Sequence, residues 1–140
     1  MKSLAVFSYF LLMVSCTSVS PKGDVEKNAT NIKTEKADSN EWDIEVFDTQ
    51  YDTFLKSYAQ PISSYSEDYL ISKNRLLVSE WNSRYFSGVN PNFYEVSIDY
   101  HPETENYGKE FNYKLYQFFV YLNWRYGVRF QGILGADRRR

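Results

Sequence analysis

The chain has 140 residues, with 16 Lys and Arg against 18 Asp and Glu, one His, one Cys and a net charge of −2. One cysteine excludes an intramolecular disulfide, one histidine leaves no His/Cys spacing for a metal, and the slightly acidic balance supplies no basic face for a nucleic acid. The length allows about one domain once the termini are set aside.

Lys2 gives a positive start, residues 4–14 (LAVFSYFLLMV) form an apolar run, and Ser15 places a small residue before Cys16. These eleven residues would make a helix of only about 16 Å against a hydrocarbon core of about 30 Å, so the segment reads as an export signal and not as a membrane span. The string at 12–16 (LMVSC) looks like a bacterial lipobox, with Met13 where Leu is usual. It predicts that residues 1–15 are a lipoprotein signal peptide and that Cys16 is the lipidated first residue of the mature protein. A thioether at Cys16 leaves no thiol for a nucleophile or a metal ligand, which suits an oxidising periplasm. No acidic cluster follows Cys16, so the expected location is the cell envelope, on the periplasmic face of the outer membrane.

Residues 17–40 hold no aromatic side chain and intersperse Lys, Glu and Asp with small polar residues. Such a stretch buries little apolar surface, and residues 16–40 are expected to be a flexible tether with a reach of roughly 25–30 Å. Composition changes at Glu41: 23 of the residues 41–140 are Tyr, Phe or Trp. Aromatic side chains bury large areas, and this density can build the core of a small domain that has no disulfide. The globular domain is expected over 41–131, with 132–140 as an exposed tail.

Trp42, Ile44 and Val46 alternate with Asp43 and Glu45, which predicts a strand over about 42–47. Asp48 and Thr49 cap a helix over about 50–59, with Thr49 and Asp52 at capping-box spacing, and Pro61 ends it. Ser64 and Glu67 form a second capping box that opens a helix over about 65–86, stopped by Gly88. Its apolar stripe runs through Leu70, Ile71, Leu77, Val78, Trp81 and Tyr85. Asn74 falls inside that stripe and needs a structural hydrogen bond, since an unpartnered buried amide costs about 1–3 kcal/mol.

Tyr94, Val96, Ile98 and Tyr100 alternate with Glu95, Ser97 and Asp99, predicting a strand over 93–100. The last helix is expected over about 109–126, ended by Gly127. A third strand at 128–131 would complete a small sheet of two or three strands packed against three helices, an α+β domain. The last helix is apolar on two faces: Phe111, Leu115, Phe118, Phe119, Leu122 and Tyr126 on one, Tyr113, Val120 and Trp124 on the other. Such a helix is either sandwiched or presents its second face to a partner.

Three strings, at 51–61, 65–82 and 90–119, resemble an uncharacterised family of small lipoproteins from Bacteroidota. Glu80-Trp81-Asn82, Tyr94 with Ile98-Asp99-Tyr100, and residues 112–116 (NYKLY) carry most of the likeness, which covers about 42–130. His101 departs from the pattern, where an acidic residue is usual. The resemblance implies an envelope context and a shared fold, and no catalytic residue.

Chemistry-bearing residues are few. His101 is the one histidine base available, no Gly-rich phosphate loop occurs, and Asp99, Glu103 and Glu105 lack the spacing of a calcium loop. No metal and no cofactor are expected. The preferred reading is a lipid-anchored, non-catalytic binding or structural module, held to the membrane through its lipid and facing an envelope protein or glycan. Trp81, Asn82, Tyr113 and Trp124 pair aromatic faces with amides and are the candidate recognition surface. The first alternative is a glycan or peptidoglycan module built on such surface aromatics. A second is a small hydrolase using carboxylates such as Glu80, Glu95, Asp99 and Glu110.

Overall fold

Two strands open the described chain, β1 (Ile32–Lys36) and β2 (Trp42–Val46), paired antiparallel with Ile32 opposite Val46 and Lys36 opposite Trp42. The structure, a computed structural model, describes residues 32–36, 41–133 and 135–137. The expected signal peptide, the lipidation at Cys16 and most of the tether lie outside the described residues.

β1 corrects the tether boundary, because residues 32–36 belong to the sheet and not to a linker. Its composition is polar because only one side of the ribbon is covered: Ile32 and Ile44 are buried, while Lys33, Glu35, Asp43 and Glu45 face solvent. A strand buried on one side needs few apolar residues, so charge dominated its reading.

α1 (Thr49–Ser57) is capped by Asp48, whose side chain accepts from the Gln50 N–H at 3.0 Å. It buries Tyr51 and Phe54. After a single 3₁₀ turn at Ile62–Ser64, α2 (Glu67–Phe86) begins. Its cap is Ser66, whose hydroxyl accepts from the Tyr69 N–H at 3.2 Å, and not the Ser64–Glu67 box, because Ser64 closes the preceding turn. At the other end Gly88 has φ +67°, with Gly88 N bonded to Tyr85 O and Val89 N to Arg84 O, a Schellman closure. α3 (Gly108–Tyr126) ends at Gly127, also left-handed at φ +67°.

α2 and α3 run parallel: Asn74 meets Asn112, and two turns on Trp81 meets Phe118 and Phe119. Leu70, Leu77, Trp81, Leu115, Phe118, Phe119 and Leu122 are fully buried. Every residue of α3 over 115–122 is buried, because α2, α1 and β2 each cover part of its circumference. Both apolar stripes of this helix are therefore largely enclosed. No helix among the described residues is long and apolar enough to cross a membrane.

The domain is α+β, with one two-stranded antiparallel sheet and three helices. Residues 93–100 are not a strand, and neither are 128–131. At 94–100 the alternation holds in part in burial, with Tyr94, Ile98 and Tyr100 inside and Glu95, Ser97 and Asp99 outside, while Val96, expected inside, is exposed. The difference lies in the hydrogen-bond partners, which are side chains of α2 and not a neighbouring strand. Residues 128–131 follow the same rule: Asn123 Nδ2 donates to Val128 O, Arg84 Nη2 to Arg129 O, and Gln131 N to Glu80 Oε2. The tail is corrected too, because Ile133 and Asp137 are buried. Gly132 makes this possible, since a Cβ there would stand 3.0 Å from the Leu77 side chain.

Candidate functional site

Trp81 and Asn82 point to the 94–98 segment. Trp81 is fully buried, its Nε1–H donating to Val96 O at 2.7 Å and its ring edge-on to Tyr94 at 4.8 Å. It cannot form part of a recognition surface, which corrects that expectation. Asn82 donates to Ile98 O at 2.9 Å and accepts from Ile98 N at 2.8 Å. Both side chains serve backbone groups that a coil segment would otherwise leave without partners.

Tyr113 and Trp124 are eleven residues apart on α3, about three turns, and so share a face. That face looks onto α1 and the turn after it. The Tyr113 hydroxyl donates to Gln60 O at 2.7 Å. Trp124 packs on Phe54 at 5.4 Å and Tyr58 at 4.8 Å between ring centres. Both residues are half-buried. The structure thus groups Tyr113 with Trp124 and assigns Trp81 and Asn82 to a separate seam.

Between Tyr113 and Trp124 on the same face lies a cluster that the sequence reading missed. Asp137 is buried, accepting from Tyr65 at 2.9 Å on Oδ1 and from Tyr116 at 2.7 Å on Oδ2. Gln117 Nε2 donates to the Tyr65 oxygen at 3.3 Å, and Gln117 Oε1 has no partner among the described residues. A cavity of about 10 Å³ adjoins it, lined by Tyr58, Gln60, Gln117, Trp124 and Asp137 among others. That volume admits one water molecule at most. Burial pushes the Tyr65 and Tyr116 phenols far above their usual range, and the Asp137 carboxylate pushes the same way. Two phenols held protonated are fixed donors and cannot act as bases at neutral pH. The arrangement latches the C-terminal segment onto α3 and onto Tyr65, which follows the 3₁₀ turn before α2. One signal could have found it: Gln117 sits within the stripe of Tyr113, Val120 and Trp124, as Asn74 does within its own.

Asn74 has the structural bond expected of it, donating to Asn112 O at 2.9 Å. Tyr100 donates to Asn112 Oδ1 at 2.6 Å, which ties the 94–100 segment to both helices. Among the carboxylates considered for hydrolysis, Glu80, Glu110 and Asp99 pair locally. Glu80 bonds Arg84 and the Gln131 N–H, Glu110 lies 3.7 Å from Lys114 Nζ, and Asp99 lies 2.7 Å from His101 Nε2. Among the described residues no three His, Asp or Glu side chains converge as a metal ion would require.

An open cleft of about 460 Å³ runs between β2 and the start of α3, lined by Trp42, Asp43, Tyr107, Glu110, Phe111 and Lys114 among others. Trp42 and Tyr107 meet there at 4.7 Å between ring centres, and Lys114 Nζ holds Asp43 at 2.9 Å.

Residues 4–137 match the sequence model of a family of unknown function, DUF6146. No curated protein and no solved structure matches the chain.

Proposed function

The chain belongs to the DUF6146 family, whose function is not known, and from its own residues we propose a lipid-anchored, non-catalytic module of the cell envelope. The observation that carries this reading is the string at 12–16, a lone cysteine directly behind a short apolar run and a small residue. The resemblance of residues 42–130 to small Bacteroidota lipoproteins implies an envelope context, and the location we propose is the periplasmic face of the outer membrane. A structural role is supported by the bonding of Trp81, Asn82 and Tyr113, whose polar atoms all hold the domain's own backbone.

Mass spectrometry of the detergent-extracted protein tests the anchor. The expected species begins at Cys16 and carries a diacylglyceryl adduct, and Cys16→Ser abolishes metabolic labelling with palmitate. An intact Met1 or a free Cys16 thiol would overturn the reading.

A second reading, a glycan-binding module, is favoured by the cleft at Trp42 and Tyr107, where aromatic faces adjoin the charged Asp43, Glu110 and Lys114. Titration with soluble peptidoglycan fragments should then shift the tryptophan fluorescence of the wild type and not that of Trp42→Ala. Equal responses from both proteins would sink it.

A further inference from the structure

We infer that the end of the domain bearing Phe47, Phe86 and Val89 rests on the bilayer in which the lipid of Cys16 is embedded. This rests on the lipid-anchor reading and adds an orientation to it. Ile32 pairs with Val46, so the chain leading back to Cys16 leaves the sheet beside Phe47. About fifteen residues separate Cys16 from Ile32, at most about 50 Å of extended chain.

Hydrogen bonds and ring contacts then link this point to the ends of both long helices. Asp48 accepts from the Tyr126 hydroxyl at 2.7 Å, in the last turn of α3. The Tyr126 ring meets Phe93 at 5.5 Å, and Phe93 N donates to the carbonyl of Asn90, next to Val89. Because α2 and α3 run parallel, the last turn of α2 with Phe86 lies at the same end. Phe47 is 56% exposed, Phe86 76% and Val89 52%, so large apolar side chains are presented to solvent where the lipid tether departs. Arg125 and Arg129, both exposed, flank α3's end.

Two acyl chains on Cys16 hold the protein to the membrane but leave the domain free to turn on its tether, and an apolar contact of the domain itself with the bilayer fixes which end faces it. Phenylalanine and valine can enter the boundary between headgroups and acyl chains, and arginines beside them attract anionic headgroups. The loop at 101–107 lies at the opposite end, about 28 Å away along the 19-residue α3. It would face away from the membrane.

The test uses the full lipidated chain in vesicles of phosphatidylethanolamine and phosphatidylglycerol. Cys16 is the sole cysteine, and a thioether consumes it, so Phe86→Cys, Val89→Cys and Thr104→Cys each introduce a unique thiol for a polarity-sensitive dye. All three side chains are exposed, and labelling should leave the fold intact. The expected result is blue-shifted emission at positions 86 and 89, with several-fold stronger quenching by spin-labelled lipids there than at 104. Equal quenching at all three positions, in protein whose mass includes the N-terminal adduct, would overturn the orientation and leave the anchor standing. A blue shift that lipid quenchers do not touch and dilution removes would overturn it in favour of a second copy of the chain. Membrane-extracted protein whose mass shows no N-terminal adduct overturns the anchor itself.

Discussion

Asn82 and Ile98 exchange two hydrogen bonds, 2.9 Å from the amide nitrogen to Ile98 O and 2.8 Å from Ile98 N to the amide oxygen. An asparagine side chain sets an N–H donor and a carbonyl acceptor at peptide-like spacing, so from α2 it satisfies Ile98 as a paired strand would. Asn82→Ala removes both partners at once. We expect a loss of about 2 kcal/mol, since a part-buried peptide group left without a partner costs about 1–3 kcal/mol. Denaturant unfolding measures it, and an unchanged midpoint would show that water replaces the amide without cost.

The same pair explains what could be read in the sequence at 93–100. Alternation reports which side chains face inward, and Tyr94, Ile98 and Tyr100 do, whereas Val96 is exposed. It does not report what pairs with the backbone, and here Trp81 and Asn82 are encoded some fifteen residues earlier. α3 was legible because its stripe of Phe111, Leu115, Phe118 and Leu122 repeats at helical spacing and Gly127 marks its end. β1 was not, because Lys33, Glu35 and Lys36 dominate a strand with one buried apolar residue. Asp137 was not, because a carboxylate before three arginines reads as solvated charge until Tyr65 and Tyr116 are placed beside it. Of the candidate surface, the pairing of Tyr113 with Trp124 followed from their spacing, whereas the burial of Trp81 depends on a segment folding over it.

Leu115 lies fully buried midway along α3. Leu115→Ala should cost about 2–5 kcal/mol, the range for deleting a packed leucine and leaving a cavity. Trp124→Ala should also destabilise, because the indole packs on Phe54 and Tyr58. Thermal and denaturant unfolding of both variants provide the check. A Trp124→Ala protein as stable as wild type would return Trp124 to the list of surface residues available to a partner.

Tyr116→Phe removes one of the two hydroxyls that hold the Asp137 carboxylate. The remaining Tyr65 bond leaves one carboxylate oxygen short of its donor, and we expect a loss of about 1–3 kcal/mol. Asp137→Ala in the same background should cost less than it does alone, because the two groups share one interaction. A double-mutant cycle that gave simple additivity would remove the latch from the account of the C-terminal segment.

The buried tyrosines predict a steep loss of stability in alkali. Burial raises the phenols of Tyr51, Tyr65, Tyr100, Tyr116 and Tyr121, in each case as the largest influence. In the unfolded chain a tyrosine ionises near pH 10, while in the folded domain these five stay protonated well above that. Above about pH 10 the unfolded state therefore binds fewer protons than the folded state, and stability falls as pH rises. Below that pH the same groups are protonated in both states and add no pH dependence. The phenolate absorbance of these residues should appear together with loss of the near-ultraviolet circular dichroism, in one cooperative transition. A smooth titration centred near pH 10 that leaves the dichroism intact would mean that the tyrosine cluster is open to solvent.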